Sequence, residues 1–183
     1  MTVFDVFPVL ETENFLLRQT KQEDAPLLYR MARDPEVSRY TFWETHRSLR
    51  ESQDVIEMFR RDFQERKAIT WAAQHKKTAE IRGFIGVINI DEVSRSLEIG
   101  FWLGREFWGR GYMPELLQAV IKFCIREMGV ERVQAKHVIE NPASGRVMQK
   151  AGMTCEGTLR RASYCKERFW DTAVYSILAG EES

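Results

Sequence analysis

Gly109 and Gly111 flank Arg110 immediately before a run of helical periodicity, in the string Glu106-Phe-Trp-Gly-Arg-Gly-Tyr-Met-Pro-Glu115. Glycine permits positive φ and lets backbone N–H groups approach a ligand with no Cβ in the way. The first turn of a helix has unpaired N–H donors and the positive end of the helix dipole, so an anionic phosphate is stabilised there by geometry and charge together. A strand, a Gly-Arg-Gly turn and a helix are therefore the parts of a pyrophosphate cradle. Spacing excludes two familiar phosphate motifs. The dinucleotide fingerprint needs a third glycine where Pro114 stands, and no Gly-Lys-Ser/Thr tripeptide exists for a P-loop.

The elements that must hold this turn can be read from periodicity and caps. Phe15 to Thr20 predicts a strand, followed by a helix whose apolar positions are Leu27, Leu28, Met31 and Ala32. Thr20 with Glu23 could form its capping box, but Pro26 sits better if Asp24 is the N-cap. Asp34-Pro35 is expected to stop that helix. Ser48 and Glu51 form a second capping-box signature, and Val55, Ile56, Phe59 and Phe63 give the next helix one apolar stripe. From Ala68 to Leu103, aromatic and β-branched runs separated by polar stretches predict a three-strand antiparallel meander. After the glycine turn, Leu117, Val120, Ile121, Cys124 and Met128 recur at helical spacing, and Gly129 is placed to end that helix. Val130 to Ile139 predicts a strand. Asn141-Pro142 opens a helix that Gly152 closes, and strands at about 154–164 and 172–178 complete the chain. The order is β, two helices, β-β-β, α, β, α, β-β: an α+β sandwich around one mixed sheet.

The spacing x-x-x-G-x-G resembles the central motif of the GNAT superfamily of acyl-CoA-dependent N-acetyltransferases, Q/R-x-x-G-x-G/A. The wider string is most similar to the branch that acetylates ribosomal-protein N-termini (RimJ/RimL-like). Glu106 stands where that family has Gln or Arg; a carboxylate donates no hydrogen bond to phosphate, which removes Glu106 as a ligand. A second segment, Asn141-Pro-Ala-Ser144-Gly-Arg-Val147-Met-Gln-Lys150-Ala-Gly152, resembles the family's N-x-x-S-x-x-V-x-x-K-x-G. The resemblance implies the GNAT fold, a mixed, mostly antiparallel central sheet with helices on both faces, and acetyl-CoA as cosubstrate with no metal. It also implies roles. Phe101, Trp102 and Leu103 would pair with the pantetheine arm along a strand splayed from its neighbour. Gly109, Arg110, Gly111, Tyr112 and Met113 would receive the pyrophosphate, Asn141 would contact CoA, and Ser144 would lie near its sulfur. Asn and Ser here also read as ordinary helix caps.

Amide formation from a thioester needs a neutral amine, whereas an α-amine has a pKa of roughly 7.7–8.0 and a lysine ~10.4. Glu98 is the proposed base, because it alternates with Gly100 and Trp102 on one face of the strand expected to hold the acyl group. The competing reading of Glu98 is a half-exposed carboxylate in a cross-strand ion pair. Arg160 and Asp171 either line the acceptor cleft or pair with each other. Tyr40, Phe42 and Trp43 either wall that cleft or pack a loop. His46, His75 and His137 lack the spacing of a triad or metal site and read as structural or solvated.

Twenty-seven basic and twenty-seven acidic residues cancel in a chain of 183, which argues against broad electrostatic binding to nucleic acid or anionic membrane. That length fits one domain spanning 1–183. Three cysteines without C-x-x-C spacing suggest neither a disulfide framework nor a zinc site, and a reducing cytoplasm is the expected home. The acceptor expected from the resemblance is a protein N-terminal α-amine. A small amine such as a polyamine or antibiotic, or a non-catalytic acyl-CoA-binding module, are the alternatives, and a homodimer is an expectation from the family alone.

Overall fold

A computed structural model describes residues 3–182. Eight strands form one sheet: β1 (Leu10–Glu11), β2 (Phe15–Gln19), β3 (Ile69–His75), β4 (Ile81–Asp91), β5 (Ser96–Leu103), β6 (Arg132–Val138), β7 (Thr154–Cys165) and β8 (Arg168–Leu178). Their spatial order is β1-β2-β3-β4-β5-β6-β8-β7, antiparallel throughout except for β5 against β6. Among the described residues five α-helices accompany it: α1 (Ala25–Ala32), α2 (Pro35–Ser38), α3 (Leu49–Gln64), α4 (Tyr112–Glu127) and α5 (Pro142–Lys150).

The meander over β3–β5 and the caps agree with the sequence. Asp24 is the N-cap of α1, but its carboxylate is taken by a bidentate pair with Arg18 at 2.8 Å and by the Lys21 N–H rather than by the helix. Ser48 Oγ accepts from the Glu51 N–H, while Glu51 reaches back one residue further, to the Arg47 N–H at 2.9 Å. Gly129 and Gly152 take the positive φ values, 67° and 92°, expected just past a helix end. Two elements were not expected. Asp34-Pro35 ends α1 but opens α2, because the Asp34 carboxylate caps the Glu36 N–H at 3.0 Å with proline at the first position. The two-residue β1 pairs with β2 at the sheet edge.

The α4 stripe is the spine of the core. Leu116, Leu117, Val120, Ile121 and Cys124 are at most 1% exposed, each aliphatic side chain contributing roughly 1.5–3 kcal/mol on burial. Trp71, facing the same side as Ile85 and Phe101 by register, meets α4 through Phe123 with ring centroids 5.6 Å apart. The opposite face of β4 and β5 carries Phe84 and Trp102, which stack at 5.1 Å and meet Phe59 of α3. Helices thus cover both faces.

On the β6–β8–β7 side, Arg132 holds Glu156 in a bidentate pair with one contact at 2.6 Å, and Ser176 Oγ donates to the same carboxylate at 2.7 Å. These bonds, the guanidinium's first, hold the Glu156 carboxyl down at about 2. A depressed carboxyl contributes stability above its ordinary value near 4.5 and loses it as pH falls towards 2. Because the pair is partly solvated, Glu156→Gln is expected to lower the melting temperature by only about 1–3 °C at pH 7. That gap should close between pH 4.5 and 2 in a pH series of thermal melts; a gap independent of pH would show that the charge contributes nothing.

Candidate active site

Strands β5 and β6 are joined by a crossover through α4, so they run parallel and both end on the same side of the molecule. They pair at only three positions, Ser96↔Arg132, Leu97↔Val133 and Glu98↔Gln134. Beyond Glu98, β5 continues with β4 as far as Leu103 and β6 continues with β8 as far as Val138. The sheet therefore opens as a wedge. The first turns of α4 and α5 follow directly from its two arms, so two helix N-termini flank one opening.

On the β5 arm, Phe101 and Trp102 are half-buried and Leu103 is buried. The wedge leaves the β6-facing backbone of this arm without a ladder partner. One carbonyl is an exception: Leu103 O accepts from the Trp108 indole N–H at 2.9 Å, which leaves the Phe101 N–H and C=O, on the side away from β4, as the free part of the arm. Trp108 so braces the turn that follows. Gly109 and Gly111 have φ of 73° and 79°, and a Cβ built on either meets nothing within 4 Å. Arg110 is exposed. Gly111 is the N-cap of α4 in the left-handed conformation, no side chain caps the helix, and Pro114 brings no N–H of its own. Tyr112 and Met113 are thus the first-turn donors, beside two glycines with open space around them. Glu106 faces away and lies 3.6 Å from Arg30.

On the β6 arm, Asn141 caps α5 in position but not through its side chain. Its Nδ2 donates to Ser144 Oγ at 3.0 Å. Ser144 uses its oxygen lone pair in that bond, so its own O–H remains to be given to something outside the helix. The cap reading of Ser144 has no counterpart among the side-chain bonds of this helix end.

At the apex of the wedge, Glu98 accepts from Lys136 Nζ at 2.7 Å and from Gln134 Nε2 at 3.4 Å. The ion pair anticipated as one reading of Glu98 is therefore present, with the Glu98 side chain 13% exposed. Sequence reasoning missed Lys136. Its alternation with Gln134 placed it on one face of β6, but only the parallel register sets that face beside Glu98.

The same sheet face is walled by aromatic rings. Trp43 stacks on Trp102 at 5.2 Å and on His46 at 5.7 Å, and Tyr40 meets Trp170 of the β7–β8 hairpin at 5.8 Å. Lys166 Nζ donates to the Ser38 carbonyl, tying the hairpin turn to the end of α2. Tyr40 and Trp43 thus pack against neighbouring rings, Trp43 on Trp102 of the β5 arm, whereas Phe42 is exposed. Arg160 and Asp171 do not pair with each other. A register shift between Leu159 and Ser163 turns Asp171 to the Arg161 N–H at 2.8 Å, and Arg160, Arg161 and Asp171 line an open hollow together. The three histidines are structural: His46 Nδ1 bonds Ser52 Oγ at 2.7 Å, His75 is buried, and His137 Nδ1 bonds the Val138 carbonyl. Burial lowers the His46 and His75 pKa values. Among the described residues, no helix is long and apolar enough to cross a membrane.

The acetyltransferase (GNAT) domain family matches residues 14–154. An uncharacterized N-acetyltransferase, YoaA of Bacillus subtilis (strain 168), is 32% identical over 97% of this chain and 100% of its own length. The ribosomal-protein-serine acetyltransferase of Escherichia coli (strain K12) is 29% identical over 55% of this chain and 56% of its own. RimL, a ribosomal L7/L12 α-N-protein acetyltransferase solved with coenzyme A, superposes with a TM-score of 0.83 at 21% identity, covering 93% of this chain and 98% of that one. With a split sheet, two facing helix N-termini and this family match, the chain belongs to the GNAT acetyltransferases, enzymes that transfer an acetyl group from acetyl-CoA.

Proposed function

We propose that this enzyme acetylates the α-amine of a protein N-terminus by direct attack on the thioester in a ternary complex. The donor lies in the wedge, its pantetheine along Phe101, Trp102 and Leu103, its diphosphate on Gly109–Met113, and its sulfur by Asn141 and Ser144. The amine enters from the face carrying Glu98, which takes its proton directly or through water. The backbone near Phe101 receives the oxyanion, and the leaving thiolate accepts a hydrogen bond from Ser144.

The observation that favours a peptide over a polyamine is the charge of the hairpin beside the wedge. Between residues 160 and 171 it carries Arg160, Arg161, Lys166 and Arg168 against only Glu167 and Asp171. Arg168 lies 3.5 Å from the Trp170 ring centroid and pairs with Glu140 at 3.3 Å, so the excess positive charge rests on Arg160, Arg161 and Lys166. The carboxylate at the apex is already paired with Lys136. A polycation would meet like charge here, whereas a peptide N-terminus brings one amine and its own carbonyls. The names of the ribosomal-protein acetyltransferases among its relatives point the same way.

The test is release of free CoA thiol from acetyl-CoA with peptides of varied N-terminus, polyamines and amino-bearing antibiotics. Peptides with a free α-amine should exceed every polyamine in kcat/KM by at least about tenfold, and the same peptides blocked at the N-terminus should be silent. Faster turnover of a polyamine or antibiotic would overturn the reading.

A further inference from the structure

Arg82, near the start of β4, is a cation in the wrong place for ordinary reasons. It is 9% exposed, yet no carboxylate among the described residues lies within 4.0 Å of its guanidinium. By contrast the half-buried guanidinium of Arg18 has a bidentate partner in Asp24. Arg82 Nη2 donates to Thr78 Oγ1 at 3.2 Å, and the buried Nε donates to nothing. An unpaired buried charge with an unmet donor is costly, and it persists where something outside the chain compensates it.

Its surroundings show where that compensation lies. The guanidinium carbon sits 4.4 Å from the Phe107 ring centroid and 5.9 Å from that of Tyr112. These two residues bracket the Trp108–Gly111 turn, one just before it and one at the first position of α4. The Arg82 carbonyl also accepts from the Gly104 N–H at 3.0 Å, fixing the backbone where the turn departs from β5. The positive end of α4 thus lies over a second positive charge, and Thr78 is the one side chain that shares its donors. Two like charges converging beneath an open turn are relieved by an anion above it.

We propose that Arg82 is a positioning residue for the diphosphate of acetyl-CoA, acting from beneath the turn through its charge and through the Phe107 and Tyr112 rings it supports. It touches no reacting atom. The inference rests on the reading of Gly109–Met113 as the diphosphate cradle and is tested separately from it.

The experiment compares acetyl-CoA with S-acetyl-pantetheine, which has the same thioester and arm but no phosphate. Arg82→Met should raise KM for acetyl-CoA about tenfold with kcat within twofold, and should change kcat/KM for acetyl-pantetheine by less than twofold. Arg82→Lys, which keeps the charge, should recover to within about threefold of the parent KM. If Arg82→Met does not fold, Arg82→Gln, which retains a donor for Thr78, gives the same comparison. Equal losses with both donors, no loss with acetyl-CoA, or a Lys variant as impaired as the Met variant would overturn the inference. Gly111→Ala, which puts a Cβ on a left-handed position, serves as the control for the cradle. If it spares acetyl-CoA, the cradle reading fails. If it selectively weakens acetyl-CoA while Arg82→Met does not, the Arg82 inference alone fails.

Discussion

Glu98→Gln is expected to lower kcat by about 10²-fold at saturating donor and acceptor, with KM for acetyl-CoA little changed. The amide keeps the shape of the side chain and can still accept from Lys136 and Gln134, but it cannot take a proton from the attacking amine. A role confined to the ion pair predicts something different: a loss of melting temperature with turnover intact. Lys136→Met separates the two, since it breaks the 2.7 Å pair and leaves the carboxylate. If the lysine variant loses as much kcat as the glutamine variant, the pair matters and the base lies elsewhere. If only Glu98→Gln is slow, the carboxylate carries the chemistry. Steady-state rates of CoA release, with thermal melts of the same proteins, decide it.

Ser144→Ala should cost nearly as much in kcat, of the order of 10²-fold, for a reason visible in one hydrogen bond. Asn141 Nδ2 donates to one lone pair of the hydroxyl at 3.0 Å and leaves its O–H available to the departing sulfur. Stability should scarcely change, because Ser144 Oγ satisfies no backbone group at the start of α5. The deficit should also depend on the leaving group. With an acetyl donor whose thiol is more acidic than that of CoA, the expelled sulfur needs less assistance, and the alanine variant should approach the parent. A deficit of the same size with both donors would mean that Ser144 shapes the site instead of serving the sulfur.

What could be read in advance was whatever depends on neighbouring residues along the chain. The Gly-Arg-Gly turn, the Asn-Pro opening of α5 and the glycines after α4 and α5 act through local φ and first-turn donors, and each is where its residue types put it. The apolar stripe of α4 was legible for the same reason. Features set by register were not. Lys136 beside Glu98 and Trp170 beside Tyr40 join residues 38 and 130 positions apart in sequence, and no spacing announces them. Strand β8 begins at Arg168, four residues before the expected Thr172, because pairing resumes with Ser163↔Trp170 after the chain bulges at 160–162. Arg160 and Asp171 then fail to meet, although continuing the Leu159↔Thr172 register by one step would put them opposite. The burial of Arg82 has no signal in the apolar run around it, because it depends on Phe107 and Tyr112, residues distant in sequence.

That bulge has a bearing on solubility. The two outer strands of the sheet are β1 and β7, and an unpaired strand edge is a template on which other chains can polymerise. At one border the template is two residues long. At the other, twelve residues would be available, but the looped-out stretch holds Arg161 in a left-handed conformation, φ 52°, and breaks the row of outward amides and carbonyls into two short pieces. A second copy cannot extend the sheet in register across residues 160–162. Growth along that whole edge is thereby checked by backbone shape and by the guanidinium groups of Arg160 and Arg161.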